Sequence, residues 1–455
     1  MQQLTLKEIA EAAGAAPLDA PDADIVITDI TTDSRKCGAG VLFVPLAGER
    51  FDGHDFIMSA FETGSPAAIT HKDTDAPPGK TLIRVSDTRR ALGDIARFYK
   101  RKYNVPTVSV TGSVGKTTTK DLMCAVLSAR YKTLKTPNNF NNDIGVPLTI
   151  FGLEAEHEAA VIELGMNHFG EIRYLASIAE PDAAVITNIG MSHIENLGSR
   201  EGIFKAKMEI AERFGKNNTL IVNGDDDFLK TVSSDTYKVV RFGLDKSNDV
   251  YAEDIVNKGL RGIEFTVVNG SEWFRAEVSL PGIHNVYNAL AAVCTGLCFG
   301  LTSDECVSGL KSCEFTSSRL EITEHNGIEL INDCYNSSPA SVRAALNVQK
   351  YTDKQRRAAI LGDVLEMGDF AEKAHYDMGV YAAECGVDML VTVGENARHI
   401  AEGARSAGMR DIVSYDDTDS AVRDIRSLVH PGDSVLVKAS HGMEFYKIAD
   451  AIKNI

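Results

Sequence analysis

No stretch of the 455-residue chain approaches the roughly 18 consecutive apolar residues of a membrane-spanning helix, so no helical insertion into a bilayer is expected. The opening residues, MQQLTLKEIAEAAG, lack the long apolar core of an export signal and carry Glu8 and Glu11. They read as a small amphipathic helix, and a cytoplasmic location is expected. Positive charge is scarce: 47 Lys and Arg face 64 Asp and Glu, for a net charge of −17. The basic face required for broad nucleic-acid binding is therefore missing. This does not exclude an anionic small substrate, which a glycine loop and a few cations can hold. Cysteine pairs at metal-site spacing are absent as well. Cys294 and Cys298 share a predicted helix but no second pair exists, so all eight cysteines are expected to be reduced packing residues.

What is present centres on VPTVSVTGSVGKTTTK, residues 105–120. Val105, Val108 and Val110 suit a buried strand, Gly112 and Gly115 a turn, and a helix is predicted from Thr117 with Leu122, Val126 and Arg130 along one face. A helix starting after such a turn directs free N–H groups and the positive end of its dipole at one point, which suits phosphate. Lys116 can reach a terminal phosphate, and the Thr117 hydroxyl can bind Mg²⁺. The strict P-loop pattern wants glycine six residues before the lysine, where this chain has Val110. What remains is GxxGKT, whose weight comes from the strand before it and the helix after it.

The length allows about three domains. Residues 1–84 form the first unit. Strands are predicted at 25–30 and at 41–46, the second placed at a sheet edge because of Pro45. A helix at 56–63 and a strand at 67–70 follow. Ser34, Arg35 and Arg50 could face a ligand, although each taken alone is an ordinary surface residue. Residues 85–316 hold the phosphate loop and the asparagine-rich segment 136–145, a hydrogen-bonding loop containing Asn138, Asn139 and Asn142. Strands at 159–164 and 183–188 bring Glu163 and His193 to the sheet edge where open α/β folds place ligands. A helix at 201–214 contains Lys205 and Lys207, neither distinguished locally. Strands are predicted at 219–223 and 238–242, an antiparallel pair at 263–268 and 273–278, and a helix at 289–299 opened by 281–288. Residues 317–455 alternate strand and helix as in a doubly wound sheet. The loop 333–339 there lacks GxGxxG, so no dinucleotide site is read from it.

TGSVGKTTTK, NNFNNDIGVPLT, ELGMNHFGEI, TNIGMSHIENLGSREGIFKAKMEI, PGIHNVYNALAA, NDCYNSSPASVRAAL and LGDVLEMG stand in the order found in the Mur ligases. The chain resembles that family from about Thr31 to Lys438. The resemblance implies an α/β protein of three domains: a small α/β N-terminal domain, a central P-loop ATPase domain with a mostly parallel sheet, and a Rossmann-like C-terminal domain. It implies ATP-driven joining of D-alanyl-D-alanine to UDP-N-acetylmuramoyl-tripeptide through an acyl phosphate, by a monomer using ATP and Mg²⁺. It implies that Gly112, Ser113, Gly115 and Lys116 cradle the phosphates, that Thr117, Glu163, His193 and a carbamylated Lys207 serve the magnesium, and that Asn285 and Asn288 lie near the adenine. Arg319 and Asp333 would reach back from the third domain to the nucleotide. Ser34, Arg35, Asn138, Asn139, Asn142, Tyr335 and Asn336 would meet the other substrates. The chain departs from the family at Ser318, often glycine, and at His441, often arginine. A sibling ligase adding one amino acid, a folylpolyglutamate-type ligase and a non-catalytic nucleotide-binding regulator remain as alternatives.

Overall fold

The computed structural model describes residues 1–19, 21–48, 51–316 and 319–455; Arg50 and Ser318 lie outside these. A short antiparallel pair, Leu4–Thr5 with Val26–Ile27, precedes a four-stranded parallel sheet of Asp29–Thr31, Val41–Phe43, Ala67–Thr70 and Thr81–Arg84 in chain order. The single strand expected at 25–30 is thus two, in different sheets. The expected edge strand is an inner one: Val41–Phe43 pairs on both sides and ends before Pro45, so the missing N–H removes no ladder bond.

The second sheet has nine strands. Thr107–Thr111 lies inside it, between Ala159–Glu163 and Ala183–Ile186, with Thr133–Lys135 at one edge. On the other side Thr219–Asn223, Lys238–Gly243 and Val250–Asn257 continue in parallel, and Ile263–Asn269 with Glu272–Val278 close the sheet antiparallel. Side chains alternate between two buried faces, as the twofold period of a strand requires. Ala160 and Ile162 join one core, and Ala159 and Val161 the other, where helices Lys116–Ser128 and Ile283–Cys298 pack. The former helix ends before Arg130, which pairs with Glu305 instead of extending the apolar face.

The first core runs without a break into the N-terminal elements. Helix Leu6–Ala12 lies on helix Thr88–Tyr103, and the Tyr99 hydroxyl accepts from Gln2 N at 2.7 Å and donates to Leu153 O at 2.6 Å. Asp87 caps the longer helix through Arg89 N and Arg90 N.

The third sheet orders Glu321–His325, Ile328–Asn332, Asp433–Lys438, Arg356–Gly362, Met389–Val393 and Ile412–Tyr415, parallel apart from the first hairpin, with buried helices on both faces. All eight cysteines are free; Cys294, Cys306, Cys334 and Cys385 are buried, whereas Cys298, expected to pack, is exposed. Among the described residues no helix is long and apolar enough to cross a membrane.

Candidate active site

Strand Thr107–Thr111 delivers the chain into Gly112, whose φ is +153°. A Cβ there would lie 1.9 Å from Thr187 Oγ1, so the backbone approach admits only glycine. Gly115, at φ +86°, opens helix Lys116–Ser128 with no side chain capping it, which leaves the first amide donors for a ligand. The loop is stiffened from the neighbouring strand. Ser113 N donates to Asn188 O, Val114 N to Asn188 Oδ1, and Gly190 N to Ser113 Oγ at 2.8 Å. The Ser113 N–H is therefore spent within the loop, while its hydroxyl, which only accepts from Gly190, keeps its O–H to donate.

A cleft of about 320 Å³ opens over this loop, walled on the far side by third-domain residues. Lys116 donates to Gly112 O at 2.9 Å. Its burial lowers its proton affinity, Glu163 partly restores it and Arg319 lowers it again. Glu163, 1% exposed at the end of its strand, accepts from Thr117 Oγ1 at 3.0 Å and from Asn141 Nδ2 at 2.9 Å. His193 lines the cleft and meets the carboxylate of Glu366. Lys207 is 2% exposed, whereas Lys205 on the same helix faces solvent. Lys207 has no hydrogen-bond or ion-pair partner among the described residues. Burial first, and then the charge of Lys116, hold its ammonium well below the usual lysine range.

Asn288 stands against Gly115, accepts from Thr119 Oγ1 at 3.1 Å and donates to Asn285 Oδ1 at 2.9 Å. Asn285 is buried behind it, donating to Pro281 O, and does not line the cleft. From the third domain, the Arg319 guanidinium stacks 4.1 Å above the Tyr335 ring. Its Nε is buried without a partner among the described residues, and so is poised for an anionic ligand. Asp333 is tied to Lys438 Nζ at 2.5 Å and accepts from Leu320 N.

Asn139 and Asn336 line the cleft. Asn142 is spent capping Ile144 N and Gly145 N, and Asn138 offers only its carbonyl, to Lys120 at 3.4 Å. Neither lines the cleft, and Ser34 and Arg35 lie apart from it, Arg35 exposed and paired with Asp33. Residue-type reasoning missed Asn141, His284, Lys438 and Glu366. His284 lines the cleft, its ring pushed down to about 4 by burial, so it is neutral at pH 7. His441 shares the cleft wall with Tyr335, their ring centroids 5.6 Å apart.

Among the described residues no group of three or more His, Cys, Asp and Glu is placed to hold a metal ion. A cation here would draw instead on the paired Thr117 and Glu163 oxygens, hard donors that fit Mg²⁺, with His193 nearby in the lining.

Three family models cover most of the chain: "Mur ligase family, catalytic domain" over residues 26–100, "Mur ligase middle domain" over 110–296, and "Mur ligase, glutamate ligase domain" over 318–441. The UDP-N-acetylmuramoyl-tripeptide–D-alanyl-D-alanine ligase of Bacillus subtilis is 38% identical over 452 residues, 98% of each chain. That of Escherichia coli is 34% identical over 95% of each. The crystal structure of MurF from Acinetobacter baumannii superposes with a TM-score of 0.90 at 31% identity, covering 100% of this chain and 99% of that one. MurF from Thermotoga maritima in complex with ADP gives 0.83 at 26% identity, covering 94% and 97%. The three-domain α/β architecture agrees with these matches, and the chain belongs to the Mur ligase family.

Proposed function

We propose that this chain joins D-alanyl-D-alanine to UDP-N-acetylmuramoyl-tripeptide, with ATP converted to ADP and phosphate. The observation that carries the reading is the single cleft in which the phosphate loop, Glu163 and the third-domain residues Arg319 and Tyr335 converge. We take residues 1–84 as the domain for the UDP end, with Ser34 and Arg35 on it, 85–316 as the ATP domain, and 317–455 as the domain that receives the dipeptide.

A carboxylate is a poor acyl donor because its leaving group would be oxide. Attack of a carboxylate oxygen on the γ-phosphorus expels ADP and leaves an acyl phosphate. The amine of the dipeptide then attacks the carbonyl carbon, and phosphate departs as the amide forms. Carboxylate and triphosphate repel, so the approach needs cations already held in place. Lys116 and Arg319 supply them in a site where burial keeps their fields strong. Gly112 and Gly115 present backbone to the phosphates and Ser113 its hydroxyl, and Asn288 supports that turn with Asn285 behind it. Thr117, Glu163 and His193 would hold Mg²⁺, with Lys207 joining them only as its carbamate, and the ion would neutralise phosphate charge when bound. Asn139, Tyr335 and Asn336 contact the peptide ends from opposite walls. Because water hydrolyses an acyl phosphate, the third domain must close before transfer. The enzyme acts as a cytoplasmic monomer in peptidoglycan precursor synthesis, and so serves cell shape and division.

The test is phosphate release from ATP with UDP-N-acetylmuramoyl-tripeptide and one acceptor at a time. D-Ala-D-Ala should support turnover and single amino acids should not. Turnover with a single amino acid alone would move the assignment to a sibling ligase, and ATP binding without turnover to a regulator. Precursors ending in lysine or diaminopimelate identify the third residue.

A further inference from the structure

Strand Thr219–Asn223 runs out into Gly224 and three consecutive aspartates, and each of the three has its own partner. Asp225 accepts from the Tyr287 hydroxyl at 2.9 Å. Asp226 caps the turn that follows through Phe228 N at 3.0 Å and Leu229 N at 3.1 Å, and its second oxygen accepts from Ile189 N at 2.8 Å. Asp227 receives Arg200, with Nη1 on Oδ2 at 2.9 Å and Nη2 on Oδ1 at 2.5 Å.

The same guanidinium gives its other edge to the Ile189 carbonyl, Nε at 3.2 Å and Nη2 at 2.8 Å, and lies 4.8 Å from the centre of the Phe228 ring. A partly exposed arginine does not hold one geometry by itself, but this one is fixed by a carboxylate, a carbonyl and a ring. The Ile189 C=O and the Gly190 N–H belong to one planar peptide unit, so holding the first aims the second. That N–H donates to Ser113 Oγ at 2.8 Å. A cation on the carbonyl also polarises the peptide and strengthens the donor at its other end. Ile189 is 2% exposed and gripped on both sides, its N–H by Asp226 and its C=O by Arg200. Ser192 Oγ adds a further tie to Ser113 O at 3.2 Å.

A serine hydroxyl has one proton to give and two lone pairs to receive. One lone pair of Ser113 Oγ is taken by Gly190, and its proton has no acceptor among the described residues. Ser113 is buried in the wall of the cleft over the phosphate loop, so that proton is left for a ligand. We propose that Arg200 is a positioning residue for the nucleotide: held by Asp227, it acts through the Ile189–Gly190 peptide on Ser113 and turns that hydroxyl toward a phosphate. Arg200 does not line the cleft, so its effect reaches the ligand through Ser113. The inference rests on the reading of Ser113 as a phosphate contact and deepens it by naming what sets the hydroxyl.

The experiment is a double-mutant cycle on the full-length protein, read by calorimetric titration with ADP. S113A removes the hydroxyl. R200M keeps a stem to pack on Phe228 and removes every donor. With Ser113 present, R200M should weaken ADP binding by about 3–10-fold, and in the S113A chain it should add almost nothing. R200K, which returns a charged donor to the Ile189 carbonyl, should recover part of the loss, and only where Ser113 is present. Circular dichroism at the titration temperature checks that each variant is folded, and R200K carries the same cycle if R200M is not. Equal losses from R200M with and without Ser113 would overturn the proposal, as would wild-type affinity in R200M. Wild-type affinity in S113A would remove the reading of Ser113, and the proposal with it. A weakened S113A that shows no coupling to Arg200 would leave that reading standing and remove the proposal alone.

Discussion

Asp121 Oδ2 receives both the amide N–H of Thr316, at 2.9 Å, and its hydroxyl, at 2.8 Å, across 195 residues of sequence. The helix that begins at the phosphate loop therefore also grips the segment leading into the third domain. Asp121 is buried beside Lys120, at 3.6 Å, and Lys135, at 3.0 Å. Removing the carboxylate leaves both Thr316 donors unpaired and takes the nearer counter-charge from the buried Lys120, which keeps Asn138 O and the more distant Glu163. Asp121→Ala should destabilise the protein by about 2–4 kcal/mol and lower the unfolding temperature in calorimetry. Scattering of the ligand-bound variant should show a wider spread of domain arrangements than wild type. An unchanged melting profile would contradict the anchoring role.

Gly112→Ala should abolish nucleotide binding while leaving the far-ultraviolet circular dichroism unchanged. The added methyl would meet Thr187 Oγ1 at 1.9 Å, and Thr187 in turn holds the loop by donating to Val114 O at 2.6 Å. Shortening Thr187 to alanine in the same chain relieves the clash but loses that bond, so the double variant should recover only part of the affinity. Calorimetric titration with ADP decides: wild-type affinity in Gly112→Ala would show that the loop is softer than this packing implies.

Lys116→Ala should reduce turnover by at least about 10³-fold with no loss of stability. The ammonium is half-buried and desolvation disfavours its charged form there, so its removal costs the fold little and can raise the melting temperature slightly. Phosphate release and thermal unfolding on the same sample separate the two effects. Near-normal turnover would displace Lys116 from the site.

Much of this was legible in the chain, for reasons that differ by element. Strands such as Ala67–Thr70 and Met389–Val393 are short, mostly apolar runs buried on both faces, and their boundaries follow from composition. Val250–Asn257 was not legible: its pairing shifts register between Glu253 and Val256, and the bulge breaks the alternation by which a strand is recognised. Thr133–Lys135 is a three-residue edge strand without a fully buried side chain. In the site, Lys116 and Thr117 could be read because glycine spacing is local. The roles of Lys438, Asn141 and Glu366 arise from partners 105, 22 and 173 positions away, which no local pattern encodes. The burial that separates Lys207 from Lys205 is likewise a property of packing.

Acid should weaken the fold before the carboxylates titrate. His284 is held neutral, its folded value about 4 against 6.5 for a free ring, and burial also lowers His375, whose Nε2 accepts from Val364 N. A folded value below the unfolded one means that the unfolded chain takes up the proton first. The stability is therefore fully present above about pH 6.5 and is lost as pH falls toward 4, by on the order of 2 kcal/mol for His284. Urea midpoints at pH 7.5 and 5 should differ accordingly, and His284→Asn should shrink the difference. A midpoint independent of pH over that range would show that neither ring is held neutral.

Lys207 presents the sharpest chemical problem in the molecule. Its side chain is buried, no acid pairs with it among the described residues, and its ammonium is held well below the usual range by burial and by Lys116. A charged group left this way is among the costliest things a protein can bury. A lowered proton affinity keeps the amine neutral, and a neutral amine reacts with CO₂: the nitrogen lone pair bonds to carbon, and loss of one N–H proton to solvent leaves a carbamate anion. That anion would answer the Lys116 charge and offer two oxygens, the donor type Mg²⁺ prefers. Protein equilibrated with ¹³C-bicarbonate should therefore give a carbamate carbon resonance that is absent in Lys207→Ala. The same variant should be nearly inactive, and short carboxylates such as formate or acetate should restore part of the rate by entering the space the side chain leaves. A bicarbonate-independent spectrum, or full turnover by Lys207→Ala, would mean that the buried amine serves packing alone.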